Sequence, residues 1–196
     1  GVAANGALGF STTPPSGAAP TGLALNGVEF LLHGGVDSYF GASVDGFAAY
    51  NAGDNAQTDI AVSLAHESDY ANRRVTATGD FRNRGVRRVL SFGADGRVIA
   101  VDVTLTNRSI NVINNLAWME GFNPDQAFDG VTNGSRATRN SIRTGTPKLG
   151  TAADPVTGRT IGLGAATTET TAAVSFEDRG PVRDPFTIIN SVNDPD

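Results

Sequence analysis

The chain has 196 residues, a formal net charge of −5, 39% apolar and 7% aromatic residues, which is enough for one packed core. Its apolar runs are far shorter than the roughly 20 residues that span a bilayer, and its acidic balance disfavours nucleic acid or an anionic membrane as partner. Cysteine is absent, which excludes disulfides, thiolate metal sites and iron–sulfur clusters.

With 24 Gly and 9 Pro, turns are frequent and long helices scarce. Residues 1–26 are mostly Gly, Ala, Pro, Ser and Thr. Their opening GVAANGALGF has no basic n-region, so no signal-peptide pattern is expected in it. Pro14, Pro15 and Pro20 predict an extended, poorly packed entry segment or an edge strand. Val28–Leu32 is the first strand-like run, followed by short β-like pieces at 36–41, 46–50 and 60–65, punctuated by Gly34-Gly35, Asp45-Gly46 and Asn51-Ala52-Gly53-Asp54. Residues 60–72 (IAVSLAHESDYAN) read equally as a short helix, because neither Gly nor Pro interrupts them.

The clearest signal begins at Arg84. Residues 85–92 and 97–106 are apolar runs joined by Gly93-Ala94-Asp95-Gly96, which predicts a hairpin. In the second run Ile99, Val101, Val103 and Leu105 alternate with Ala100, Asp102, Thr104 and Thr106, so one face is buried and one is polar. Asn107–Asn111 then reads as a turn into a third antiparallel strand, Val112–Phe122, holding the sole Trp (Trp118) and the sole Met (Met119). Further strands are predicted at 159–163 and 171–176, and Pro181, Pro185 and Pro195 mark 178–196 as an exit segment or linker. Many short strands with Gly/Asp turns predict an all-β fold: an antiparallel β-sandwich of jelly-roll or Ig-like type, loop-rich, with few or no helices, spanning 27–177.

Catalytic patterns are poorly represented. His33 and His66 belong to no recognisable motif, and neither a Gly-x-Ser-x-Gly elbow nor a His-Glu-x-x-His pattern occurs. The chain is expected not to be an enzyme. Its densest polar run is Trp118-Met-Glu-Gly-Phe-Asn-Pro-Asp-Gln126, followed by Asp129, Asn133 and Asn140. Pro124 stops a strand that ends at Phe122 and forces the chain outward. Asn123, Asp125 and Gln126 then form a corner of oxygen donors. Such donors suit calcium, which takes six to eight oxygens. From the residues alone the corner is either a calcium site or an ordinary polar bend, and Asp102, on the strand expected to lie alongside, adds a carboxylate to the first reading. Asn107-Arg-Ser109 and Asn133-Gly-Ser135 match the glycosylation acceptor pattern but are expected to be unmodified turns.

The stretch Val98–Asn107 together with Asn115–Gln126, and then Thr138-Arg139-Asn140-Ser141-Ile142, resembles a β-sandwich module of giant calcium-dependent bacterial RTX adhesins. The resemblance covers roughly residues 84–142, and its Pro-Asp-Gln corner is the most specific part. Ala127 and Ser141 stand where that family usually has acids, which shifts weight onto Asp129 and Asn133. One group of such modules is similar to domains that hold the free C-terminus of a partner through calcium. The resemblance therefore implies a cell-adhesion and biofilm domain on the bacterial surface, binding a protein or peptide ligand on another cell. Its calcium ligands would come from Asp102, Asn123, Asp125, Gln126, Asp129, Asn133 and Asn140. Trp118, Glu120, Asn123, Gln126, Arg136 and Arg139 would touch the ligand, with the arginines gripping a carboxylate and Trp118 or Tyr39 forming an apolar wall. A glycan-binding module and a structural spacer of the same adhesin are the alternatives. In each case the chain is expected to be a monomeric domain within a longer protein, bound to neither nucleic acid nor membrane.

Overall fold

The computed structural model describes residues 1–8, 23–25, 28–31, 38–53, 57–69, 71–93, 96–124, 138–143, 148–166 and 184–186. Thirteen strands run through them: β1 (Ala24–Leu25), β2 (Val28–Glu29), β3 (Ser38–Val44), β4 (Phe47–Ala52), β5 (Gln57–Thr58), β6 (Val62–His66), β7 (Asn72–Phe81), β8 (Arg84–Gly93), β9 (Ala100–Asn107), β10 (Leu116–Phe122), β11 (Arg139–Arg143), β12 (Lys148–Ala153) and β13 (Thr160–Ala165). Every pairing among them is antiparallel. Among the described residues no helix is long and apolar enough to cross a membrane.

Two four-stranded sheets, β10-β3-β4-β5 and β6-β7-β8-β9, pack face to face. Phe40, Ala42 and Ala49 of the first meet Val86 of the second, with Val62, Phe81, Leu105 and Trp118 around them. The fold is thus an all-β sandwich, as the turn-rich sequence predicts. Strand alternation explains the burial. Val86, Arg88 and Leu90 on β8 pair with Leu105, Val103 and Val101 on β9, and this set faces the other sheet. A three-stranded sheet β11-β12-β13 and a two-stranded pair β1-β2 complete the described strands.

Two tight turns close one end of the sandwich. Asp45 and Gly46 sit at φ 48° and 83°, and Arg82 and Asn83 at φ 47° and 60°, the left-handed pairs that match the twist of a two-residue hairpin. Gly46 takes that conformation freely, whereas Arg82 is strained there. Its guanidinium compensates by lying 3.5 Å over the Phe47 ring.

The structure decides several expectations. Of the two readings of residues 60–72 the strand holds, since Val62 to His66 pair with Gly79 to Val75 in a ladder. β8 and β9 form the expected hairpin, with a ladder from Arg84↔Asn107 to Ser91↔Ala100 and Gly96 N–H donating to Gly93 O in the connection. Other expectations are corrected. The third strand begins at Leu116 and does not extend the β8–β9 sheet; it pairs with β3 from Leu116↔Val44 to Phe122↔Ser38. The eight residues between Asn107 and Leu116 are enough to cross the ~10 Å between packed sheets. The first sheet thereby acquires the fourth-first-second-third order of a Greek key, with the whole second sheet as its connection. Residues 1–8 are not a poorly packed entry either: Ala3, Asn5 and Ala7 are buried in the body. The strand expected at 171–176 and most of the exit segment 178–196 lie outside the described residues.

Candidate functional site

The inward face of the first sheet carries Phe40, Ala42 and Val44 on β3, with Trp118 and Glu120 beside them on β10. Opposite stands Arg88, its side chain 3% exposed. Arg88 Nε and Nη2 donate to the two oxygens of Glu120 at 2.7 and 2.8 Å. Its Nη1 donates to Gly6 O at 2.8 Å, and its guanidinium lies 4.7 Å from the Phe40 ring centre. Trp118 Nε1 donates to Glu120 Oε1 at 3.0 Å, while its ring stacks on Phe40 with centroids 5.5 Å apart. An ion pair taken out of water is tolerable only when its remaining donors and acceptors are satisfied. Here three nitrogens of Arg88 are bonded, and both carboxylate oxygens of Glu120 are used.

A second buried polar cluster fixes the N-terminal segment. Asn51, fully buried on β4, donates from Nδ2 to Asn5 O at 2.8 Å and to Ile60 O at 2.7 Å, and its Oδ1 accepts from Ile60 N–H at 2.9 Å. Asn5 answers by donating to Ala52 O at 2.7 Å and Gln57 O at 2.9 Å. Ser38 Oγ donates to Leu8 O at 2.8 Å. Segment 1–8 forms its own tight loop, with Ala3 N–H on Ala7 O at 2.8 Å and a bridge between Val2 and Leu8.

The predicted site residues are distributed as follows. Trp118 and Glu120, both partly buried, face the interior and are engaged in the Arg88 network. Asp102 is exposed on β9, level with Val89. Its face is opposite to that of Leu105 and turns away from the other sheet, and the strand ending beside Asn123 belongs to that other sheet. Asp102 and Asn123 thus belong to different sheets, whereas the expectation that placed Asp102 beside the 123–126 corner took β9 and β10 as neighbouring strands. Asn140 lies on β11 in the three-stranded sheet, where its Oδ1 accepts from Thr138 Oγ1 at 3.1 Å. Arg139, next to it, is exposed. Asn123 and Pro124 follow directly on β10, whereas Asp125, Gln126, Asp129, Asn133 and Arg136 lie outside the described residues. Among the described residues, no group of three or more His, Asp or Glu gathers as a metal site.

The end of the sandwich bearing the two tight turns presents apolar surface. Phe47 and Leu116 are 52% and 42% exposed, and Ile110 and Val112 of the crossing loop are almost wholly exposed. The loop is held to both turns, with Asp45 N–H donating to Asn115 O at 2.9 Å and Arg108 N–H to Asn83 O at 3.0 Å.

Sequence reasoning missed Arg88, Asn5 and Asn51. Arg88 had a signal: it shares its strand face with Val86 and Leu90, as Glu120 shares one with Trp118, so two opposite charges were patterned to point inward. The asparagines had none, because Asn is ordinarily a turn residue. No family model matches the chain, and no curated protein or solved structure is significantly similar to it. Fold and polar clusters together define an all-β sandwich whose two main sheets are pinned internally.

Proposed function

We propose that this chain is a ligand-binding adhesion module of a bacterial surface protein, with calcium held by the loop that follows β10. The observation that carries the reading is the way β10 is fixed. Its ladder to β3 runs unbroken to Phe122↔Ser38, and Arg88 clamps Glu120 two residues earlier. Asn123 therefore leaves the sheet from a rigid root, and the oxygen-rich run Asn123, Asp125, Gln126, Asp129, Asn133 is launched from it. Binding functions concentrate on loops set by rigid scaffolds. Asp102 stands on the other main sheet and Asn140 on the three-stranded one, which favours a cation shell local to residues 123–133 and their backbone carbonyls. Calcium bound there would organise the loop and leave coordination positions for a carboxylate of the guest.

A protein or peptide partner suits the molecule better than a glycan. Phe47, Leu116, Ile110 and Val112 are exposed apolar side chains near Arg82 and Arg108, and aliphatic surface with arginine nearby is the chemistry of protein contacts. The test is to pan peptide and glycan libraries against the full chain, with calcium and with chelator. Calcium-dependent capture of peptides that need a free carboxylate supports the reading. Calcium-independent capture of glycans alone contradicts it.

A further inference from the structure

The interior polar groups that hold residues 1–8 have the character of a receptor. None of those residues joins either main sheet. The segment is instead gripped by side chains far away in sequence: Asn51 and Arg88 take its carbonyls at Asn5 and Gly6, and Ser38 takes Leu8 O. In return Asn5 places its amide between Ala52 O and Gln57 O, and its Oδ1 accepts from Ala7 N–H at 3.1 Å, which fixes the turn. Gly6 is also selected. Its φ is +86°, and a Cβ there would stand 3.2 Å from Ala77 Cβ and 3.5 Å from both Phe40 and Val62. Ala7 is fully buried in the main core. Gly1 is exposed, so the segment dips into the sandwich from outside and turns back.

We propose that this slot is a peptide-binding site that reads an Asn-Gly-Ala turn, and that residues 1–8 are its resident ligand. Three properties support separability. The contacts come from one short run, the recognition is by side chain to backbone, and the run is closed on itself by its Val2–Leu8 bridge. The fourteen residues 9–22 that join it to the body span up to about 45–50 Å when extended. That reach lets the same segment of a second copy be the source of the ligand, as in segment exchange between identical chains. The proposal involves no calcium and does not depend on the adhesive reading.

The test uses the whole chain with a protease site introduced within residues 9–22 and cut after folding. The probe is a synthetic peptide of residues 1–8 carrying a dye at its Gly1 end. The resident fragment is expected to stay bound through size exclusion and to exchange with the dyed peptide. An Asn5→Ala peptide should compete at least about tenfold more weakly, because Ala52 O and Gln57 O lose their buried donor. Uptake by the uncut chain, slower than by the cut one, would assign a second copy as a source. Uptake by the cut chain alone would restrict the source to the chain itself. The proposal is overturned if the fragment leaves without altering the melting temperature. It is equally overturned if the body unfolds on cutting and added peptide does not restore it. Hydrogen exchange at the Gly6 and Ala7 amides of the uncut protein gives a reading independent of the nick: protection equal to that of free peptide would contradict a filled slot.

Discussion

Arg88 and Glu120, 32 residues apart in sequence, meet across the two sheets through paired bonds of 2.7 and 2.8 Å. Each lies on the inward face of its strand, and the pair joins three parts of the chain because Arg88 also holds Gly6 O.

Removing one partner should be costly. Glu120→Leu leaves Arg88 charged and buried, and the expected loss is about 3 kcal/mol, at the lower end for half of a buried pair because Glu120 keeps a 17% exposed side chain. The double variant Arg88→Met/Glu120→Leu should recover part of that loss, since no charge is then left buried alone, while Gly6 O and Trp118 Nε1 still lack their partners. Urea unfolding followed by Trp118 fluorescence measures both. A double variant as unstable as the sum of its singles would deny the pairing.

Asn51→Ala should destabilise by about 2–4 kcal/mol, because Asn5 O, Ile60 O and Ile60 N–H would all lose a buried partner. Hydrogen exchange should quicken at Ile60 and along residues 5–7, far from the substitution in sequence. Unchanged protection of the 5–7 amides would mean that Asn51 does not seat the segment.

Tyr39 and Gly121 are directly opposed on β3 and β10, and a Cβ on Gly121 would fall 2.2 Å from Tyr39 Cζ. Gly121→Ala must displace the ring, at a cost of about 1–3 kcal/mol. In a Tyr39→Ala background the same substitution should be nearly neutral, giving a coupling above about 1 kcal/mol by denaturation. Additive losses would refute the contact.

Acid should loosen the turn between β6 and β7. Asp69 Oδ1 accepts from the backbone N–H of Asn72 at 2.6 Å and of Ala71 at 2.8 Å, and these bonds hold its carboxyl below the usual aspartate range. A folded-state value below the unfolded one means that the stabilisation is present above the unfolded pKa and fades as pH falls through the folded one. An NMR titration should place the Asp69 midpoint below that of a model peptide, and Asp69→Asn should remove this contribution to the pH dependence. A midpoint at or above the peptide value would contradict the turn.

Legibility followed the range of the cause. The β8–β9 pair was readable because Val101, Val103 and Leu105 alternate within one strand, and Asp45-Gly46 announced its turn through the backbone it tolerates. β7 was hidden by Arg73, Arg74 and Gly79, and β12 (Lys148–Ala153) by small residues that pattern weakly. The placement of β10 depends on Phe40 and Arg88, partners that no local pattern names. With β10 went Asp102, read as lying on a neighbouring strand when β9 and β10 belong to different sheets. Asn5 and Asn51 illustrate the same limit: their roles exist only once residues 5–7, β4 and the 57–60 stretch have met.

The most direct test of a metal-independent body carrying a calcium loop is calcium titration of the full chain by calorimetry and thermal melting, beside Asp102→Ala. Binding is expected at about 10⁻⁴–10⁻³ M, the range of extracellular modules. The melting temperature should rise with calcium, the chelated protein should remain a folded sandwich, and Asp102→Ala should bind as the parent does. No heat and no thermal shift at millimolar calcium would contradict the loop, and unfolding in chelator would contradict the self-sufficient body.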